Sequence, residues 1–217
     1  ACECGRLAEA WDLIEQSLAG NPRNAHGAHI RVHVLYEKGE PERASGYLDG
    51  RMPGFAKEGL LHCHLSWHVA LLALELGNID RAWEVYHANI HPGGAWGPPI
   101  NVATDSAAFL WRCELAGQPR RPELWRVVHD FVGKSFPKAR LAFADVHRAV
   151  ACAAGGDSAE LERWVRELRE CVAAGKQPAG PVVATLAEAF GAFARNDWDG
   201  AITLFERALP ETVRIGG

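Results

Sequence analysis

Histidines and acids recur in this chain at spacings that place them on one face of a helix. His26, His29, His33 and Glu37 are three, four and four residues apart, so they follow one line along a helical surface. Downstream, His64, His68 and Glu75 follow a similar line beside Trp67, with His62 half a turn away. A third segment carries Asn101, Asp105 and Trp111, and a fourth carries Phe143, Asp145 and His147. Histidine paired with carboxylate is the combination from which general bases and zinc or iron sites are built. His29-x-x-x-His33 and His64-x-x-x-His68 each set two imidazoles one turn apart, a separation that can chelate a metal. Neither contains the Glu of His-Glu-x-x-His, which supplies the base in that motif. No Gly-x-Ser-x-Gly elbow, phosphate-binding glycine loop or dinucleotide fingerprint is present. Ser66, Cys63 and Cys152 lack a placed base and are not read as nucleophiles.

The elements that must position these residues are helices. Apolar-striped segments alternate with Gly, Pro, Asn or Asp, and no stretch keeps the period-two alternation of a strand. Turns are expected at Gly5, Gly39, Gly77, Gly117, Gly156 and Asn196/Asp197, the first interval being 34 residues and the later ones somewhat longer. That period, with a helix on each side of a tight turn, marks a helical repeat array. Ala10, Ala44, Ala82 and Ala201 each stand five residues beyond a turn, where a small side chain lets paired helices approach. The spacing predicts an unpaired helix over 7–19 and hairpins over 24–49, 59–90, 100–132, 138–174 and 180–209. Gly/Pro-rich connections at 50–58, 91–99 and 117–122 make the array irregular. The expectation is an all-α, tetratricopeptide-like solenoid over 1–217, read as one domain whose N-terminal repeats lie outside this sequence.

His29, His68 and His147 lie ten, nine and nine residues before their turns, and Asp105 and Asp145 twelve and eleven before theirs. In an array whose first helices line a concave surface, residues at matching depth become neighbours. Seven of the ten histidines fall on three first helices, and groups of this kind are costly to bury without mutual hydrogen bonds or a ligand. Trp67 and Trp111 are expected near this polar stripe, with Arg112 available to Asp105 or to a ligand carboxylate. Trp11, Trp83, Trp125, Trp164 and Trp198 are expected to pack between repeats.

Composition bounds the remainder. The chain is 48% hydrophobic and 23% charged, with a net charge of -4, the balance of a well-packed protein. No basic run tracks a phosphate backbone, which argues against nucleic acid. No apolar stretch reaches membrane-spanning length, and no signal peptide opens the sequence. Six cysteines permit disulfides, but Cys63, Cys113, Cys152 and Cys171 sit singly among apolar helical residues, as buried thiols of a cytoplasmic protein do. Cys2 and Cys4 lack the two-residue loop of a zinc knuckle.

The blocks AHIRVHVLYEKGE, HCHLSWHVALLALELGNIDRAWEVYHANI, DSAAFLWRCELAG and FADVHRAVACAAGGD resemble the tetratricopeptide repeat protein 38 family. The resemblance is strong over about 25–157 and loose beyond. It implies the helical-repeat fold and marks His29, His33, Glu37, His64, Trp67, His68, Asp105, Trp111, Arg112, Asp145 and His147 as family positions. It names no reaction. Family members are about twice this length, and Arg31 and Tyr36 depart from the family's blander residues.

Three functions are compatible with these features. One is a groove holding a small polar or cationic ligand, or a protein partner. Another is a hydrolase or lyase with His68 or His147 as base and Asp145 or Asp105 as orienter or acid, with or without a metal on His29, His33, His64 and His68. The third is a scaffold in which the histidines only bridge repeats. Cofactor identity is open in all three.

Overall fold

The computed structural model describes residues 1–216 and is helical throughout, with no strand among them. Eleven α-helices follow in order: α1 (Leu7–Gly20), α2 (Ala25–Glu37), α3 (Pro41–Arg51), α4 (His62–Glu75), α5 (Ile79–Val85), α6 (Pro99–Leu115), α7 (Pro122–Ser135), α8 (Ala142–Gly155), α9 (Ser158–Ala173), α10 (Val182–Ala194) and α11 (Trp198–Ala208). A π-helical turn, Tyr86–Ile90, continues α5. No described helix is long and apolar enough to cross a membrane.

The turns close where the sequence places them. Gly5, Gly39, Gly77, Gly117 and Gly156 all have positive φ, and Asn196 is the one non-glycine among the described residues to do so, at 59°. Gly39 and Gly77 matter most for the site, because they end the regions carrying the four closely spaced histidines. Their φ values of 69° and 77° would strain any side chain bearing a Cβ. At the other end of α2, the Asn24 side chain accepts a hydrogen bond from Gly27 N at 3.1 Å, satisfying one of the amides a helix start leaves open. Ala10, Ala44, Ala82 and Ala201 are all buried, as helix pairs in close approach require.

The chain divides into two compact units, one spanning Ala1–Phe109 and one running from Leu110 onward. In the first, each of α1 to α5 packs on its neighbour in sequence. Ala10, Ile14 and Leu18 of α1 meet Val34 of α2, with Trp11, Ile30 and Tyr47 closing around them. Arg31 is held by this cluster: its guanidinium lies 4.8 Å from the Trp11 ring and 4.6 Å from Tyr47, and pairs with Glu15 at 3.0 Å. Tyr36 is exposed. Ser106 of α6 donates to the Ile90 carbonyl at 2.9 Å, fixing α6 against the π-helical turn.

In the second unit α7 packs on α8, while α10 packs on α8, α9 and α11. Trp125 and Trp164 are fully enclosed, as expected of packing residues. Trp198 departs from that expectation: it is 51% exposed and meets Phe193 edge-on at 5.1 Å. All six cysteines are free thiols.

Candidate metal centre

The first unit brings four of the singled-out histidines together. On α2, four residues advance the chain by just over one turn, so His29 and His33 project from the same side. The same spacing aligns His64 and His68 on α4. Buried Ala28, Val32 and Leu35 hold α2 in the core, and Leu65, Val69 and Leu72 do so for α4. With each helix anchored by its apolar side, the two imidazole pairs meet.

His29 Nε2 stands 2.8 Å from His33 Nε2 and 3.0 Å from His64 Nε2. The His68 ring centroid lies 5.0, 4.8 and 4.9 Å from those of His29, His33 and His64. One ring nitrogen from each of the four histidines can be chosen so that all lie within 4.8 Å of one another. A ring nitrogen offers one hydrogen or one in-plane lone pair, so His29 Nε2 cannot align well with both close neighbours. A cation among the nitrogens would engage every lone pair at once.

Asp105 orients this arrangement from α6. Its Oδ1 and Oδ2 lie 3.0 and 3.1 Å from His64 Nδ1, and Cys63 Sγ donates to Oδ2 at 3.9 Å. Burial pushes the Asp105 carboxyl above its ordinary range, against the pull of the His64 and Cys63 hydrogen bonds. With a hydrogen on Nδ1 facing Asp105, the Nε2 lone pair faces His29, the arrangement by which outer carboxylates orient metal-binding histidines. Trp67 stacks on the His64 ring at 5.3 Å with planes 19° apart, restraining its tilt.

Burial, then the charges of His64, His33 and His26, pull the His29 pKa down to about 3. His29 is therefore neutral near pH 7, the form that ligates metal. His68 and Asp105 are buried, whereas His29, His33 and His64 are half-buried. The cluster thus has an enclosed side and a side that water reaches.

The other singled-out residues have different surroundings. Glu37 is exposed at the last position of α2. Asp145 belongs to the second unit, where Oδ2 accepts from Gln177 at 2.9 Å and the Trp164 indole donates to its carbonyl at 3.1 Å. His147 Nδ1 donates to the Phe143 carbonyl at 2.7 Å, and burial lowers its pKa to about 4. Trp111 packs against Phe190 and Phe193, with ring centroids 5.4 and 4.9 Å away. Arg112 is exposed.

Two features were not legible from spacing. Cys63 supports Asp105, although nothing about its position along α4 marks it as that carboxylate's neighbour. His129, Cys152 and Glu160 also converge, from α7, α8 and α9. Glu160 is already engaged there, by Arg148 at 2.7 Å and His129 at 3.0 Å. The Arg148 guanidinium lies 3.9 Å from the Trp164 ring centroid. Burial pushes the Cys152 thiol up to about 12. A fixed positive charge and a protonated thiol oppose a cation, so this group is an ion-pair network tying three helices together.

No family model matches the sequence, and no solved structure matches the chain.

Proposed function

We propose that this protein is a tetratricopeptide-like helical array that holds a divalent transition-metal ion on His29, His33, His64 and His68. The observation carrying this reading is the approach of four imidazole nitrogens to within 4.8 Å, with His64 oriented from behind by Asp105. Imidazole-only donor sets suit zinc, copper, iron and nickel over magnesium or calcium, which prefer oxygen. The array reading rests on the recurrent turns and buried alanines, and the resemblance to the tetratricopeptide repeat protein 38 family agrees with it. On this reading the polar or cationic ligand expected from the sequence is the metal ion itself, for which four imidazole nitrogens are suitable donors.

The test is elemental analysis of protein purified without an affinity tag, then titration of the chelator-stripped chain with zinc, nickel, copper and iron(II). One ion per chain is expected, falling to substoichiometric content in His33→Ala and His68→Ala. Failure to retain any of these metals, with no thermal stabilisation on adding them, would remove the proposal.

A further inference from the structure

A cavity of about 560 Å³ lies within the second unit, where α9, α10 and α11 meet the short turn Leu209–Arg214. None of the residues singled out from the sequence lines it. Three arginines reach its wall: Arg169 from α9, Arg207 from α11 and Arg214 from the turn. Arg214 folds back over Gly180, where a Cβ would lie 3.7 Å from its Nη2.

Two carboxylates share the cavity, Glu188 and Glu211, and each is already engaged. Arg169 donates to Glu188 Oε1 at 2.7 Å, and Arg214 donates to Glu211 Oε2 at 3.0 Å. Arg207 makes no ion pair among the described residues; its Nη2 reaches the Thr185 hydroxyl at 3.5 Å. That hydroxyl donates its own hydrogen to the Pro181 carbonyl at 3.1 Å. Guanidinium groups stay charged throughout the usual pH range, so three of them against two carboxylates leave one positive charge unmatched. The planar fork of a guanidinium seats both oxygens of a carboxylate at once. Pro181, Val182, Ala184 and Ala208 add apolar lining beside that charge. The volume falls within the range of small-molecule sites, about 300–1,000 Å³.

We infer that this cavity binds a small organic carboxylate, with Arg207 as its anchor and the apolar lining against its hydrocarbon body. One unmatched positive charge suits a monoanion. A phosphate dianion would meet the same arginines but leave excess negative charge beside Glu188 and Glu211. The site shares no residue with the four-histidine centre and stands whether or not that centre holds a metal.

Butyrate, butylamine and inorganic phosphate are the probes, each titrated at fixed ionic strength into the intact isotope-labelled chain and followed by amide NMR. Butyrate should shift the amides of Val182, Ala184 and Ala208 saturably, phosphate should bind more weakly, and butylamine should give no saturable change. Arg207→Gln should weaken butyrate binding about tenfold or more, the effect of losing a charged hydrogen-bond donor, with the helical circular dichroism preserved. Arg207→Lys keeps the charge without the planar fork, so its affinity should be intermediate, and it reads the same contact if the glutamine variant does not fold. Butyrate shifts that fail to saturate, or that keep the parent affinity in the Arg207 variants, would overturn the site. Tighter binding of phosphate than of butyrate would overturn the ligand class.

Discussion

Asp105 and Asp145 are both buried aspartates on helices, yet their surroundings assign them different work. Asp105 faces a histidine whose other nitrogen turns to the cluster. Its removal should leave His64 free to rotate and change tautomer. Losing such an outer partner typically costs about 10–100-fold in metal affinity, so Asp105→Ala should weaken metal binding by that factor while His33→Ala removes a ligand outright. Competition with a chromophoric chelator measures both.

Asp145 instead joins α8 to the segment carrying Gln177, and its burial raises its pKa from the ordinary 3.8 to about 6. Because the folded state binds this proton more tightly than the unfolded chain, the resulting contribution to stability is complete below about pH 4. It is lost as pH rises through about 6. The stability of Asp145→Asn relative to the parent should therefore increase across that interval and level off above it. His147 acts in the opposite sense, since its lowered pKa favours the folded state above the ordinary 6.5 and disfavours it as pH falls toward 4. Chemical denaturation at several pH values separates the two. Metal content should stay unchanged in Asp145→Asn.

At the scale of elements, α2 and α4 form the centre because each presents two histidines one turn apart and is fixed at its ends. Gly77 closes the turn after α4 with φ of 77°, a conformation that costs a side-chain-bearing residue about 1–2 kcal/mol. Gly77→Ala should lower stability by that amount without removing any ligand. A Cβ there meets no heavy atom within 4 Å, so the backbone conformation alone carries the cost. Denaturant melts with and without zinc would show a lower midpoint in both states and an unchanged metal stoichiometry. The turn glycines and buried alanines were legible in the sequence because period and backbone requirement are local. The exposure of Trp198 was not, because burial depends on what packs over a helix and not on its own residue pattern.

At the scale of the whole molecule, all four histidines and Asp105 belong to the first compact unit. A ligand that binds only the folded state stabilises what it contacts by mass action. Adding zinc should slow amide exchange most in α2, α4 and α6, and least in α8 to α11. Hydrogen-exchange mass spectrometry on the intact chain reads this directly, and uniform protection would show that the two units respond together.

The sequence by itself determined the helical class, the turns and the pairing of histidines within α2 and within α4, since all of these follow from spacings shorter than one hairpin. Matching depth before the turns also drew His29 and His68 into one set. The same reasoning added His147, whose ring lies in the second unit and donates to its own helix. Only the tertiary structure decided that His29 and His64 meet nitrogen to nitrogen, that Asp105 and Cys63 stand behind them, and that Asp145 is engaged by Gln177. Those contacts join residues from 32 to 42 positions apart. Side-chain contact over such separations depends on how anchored helices pack, which no local periodicity encodes.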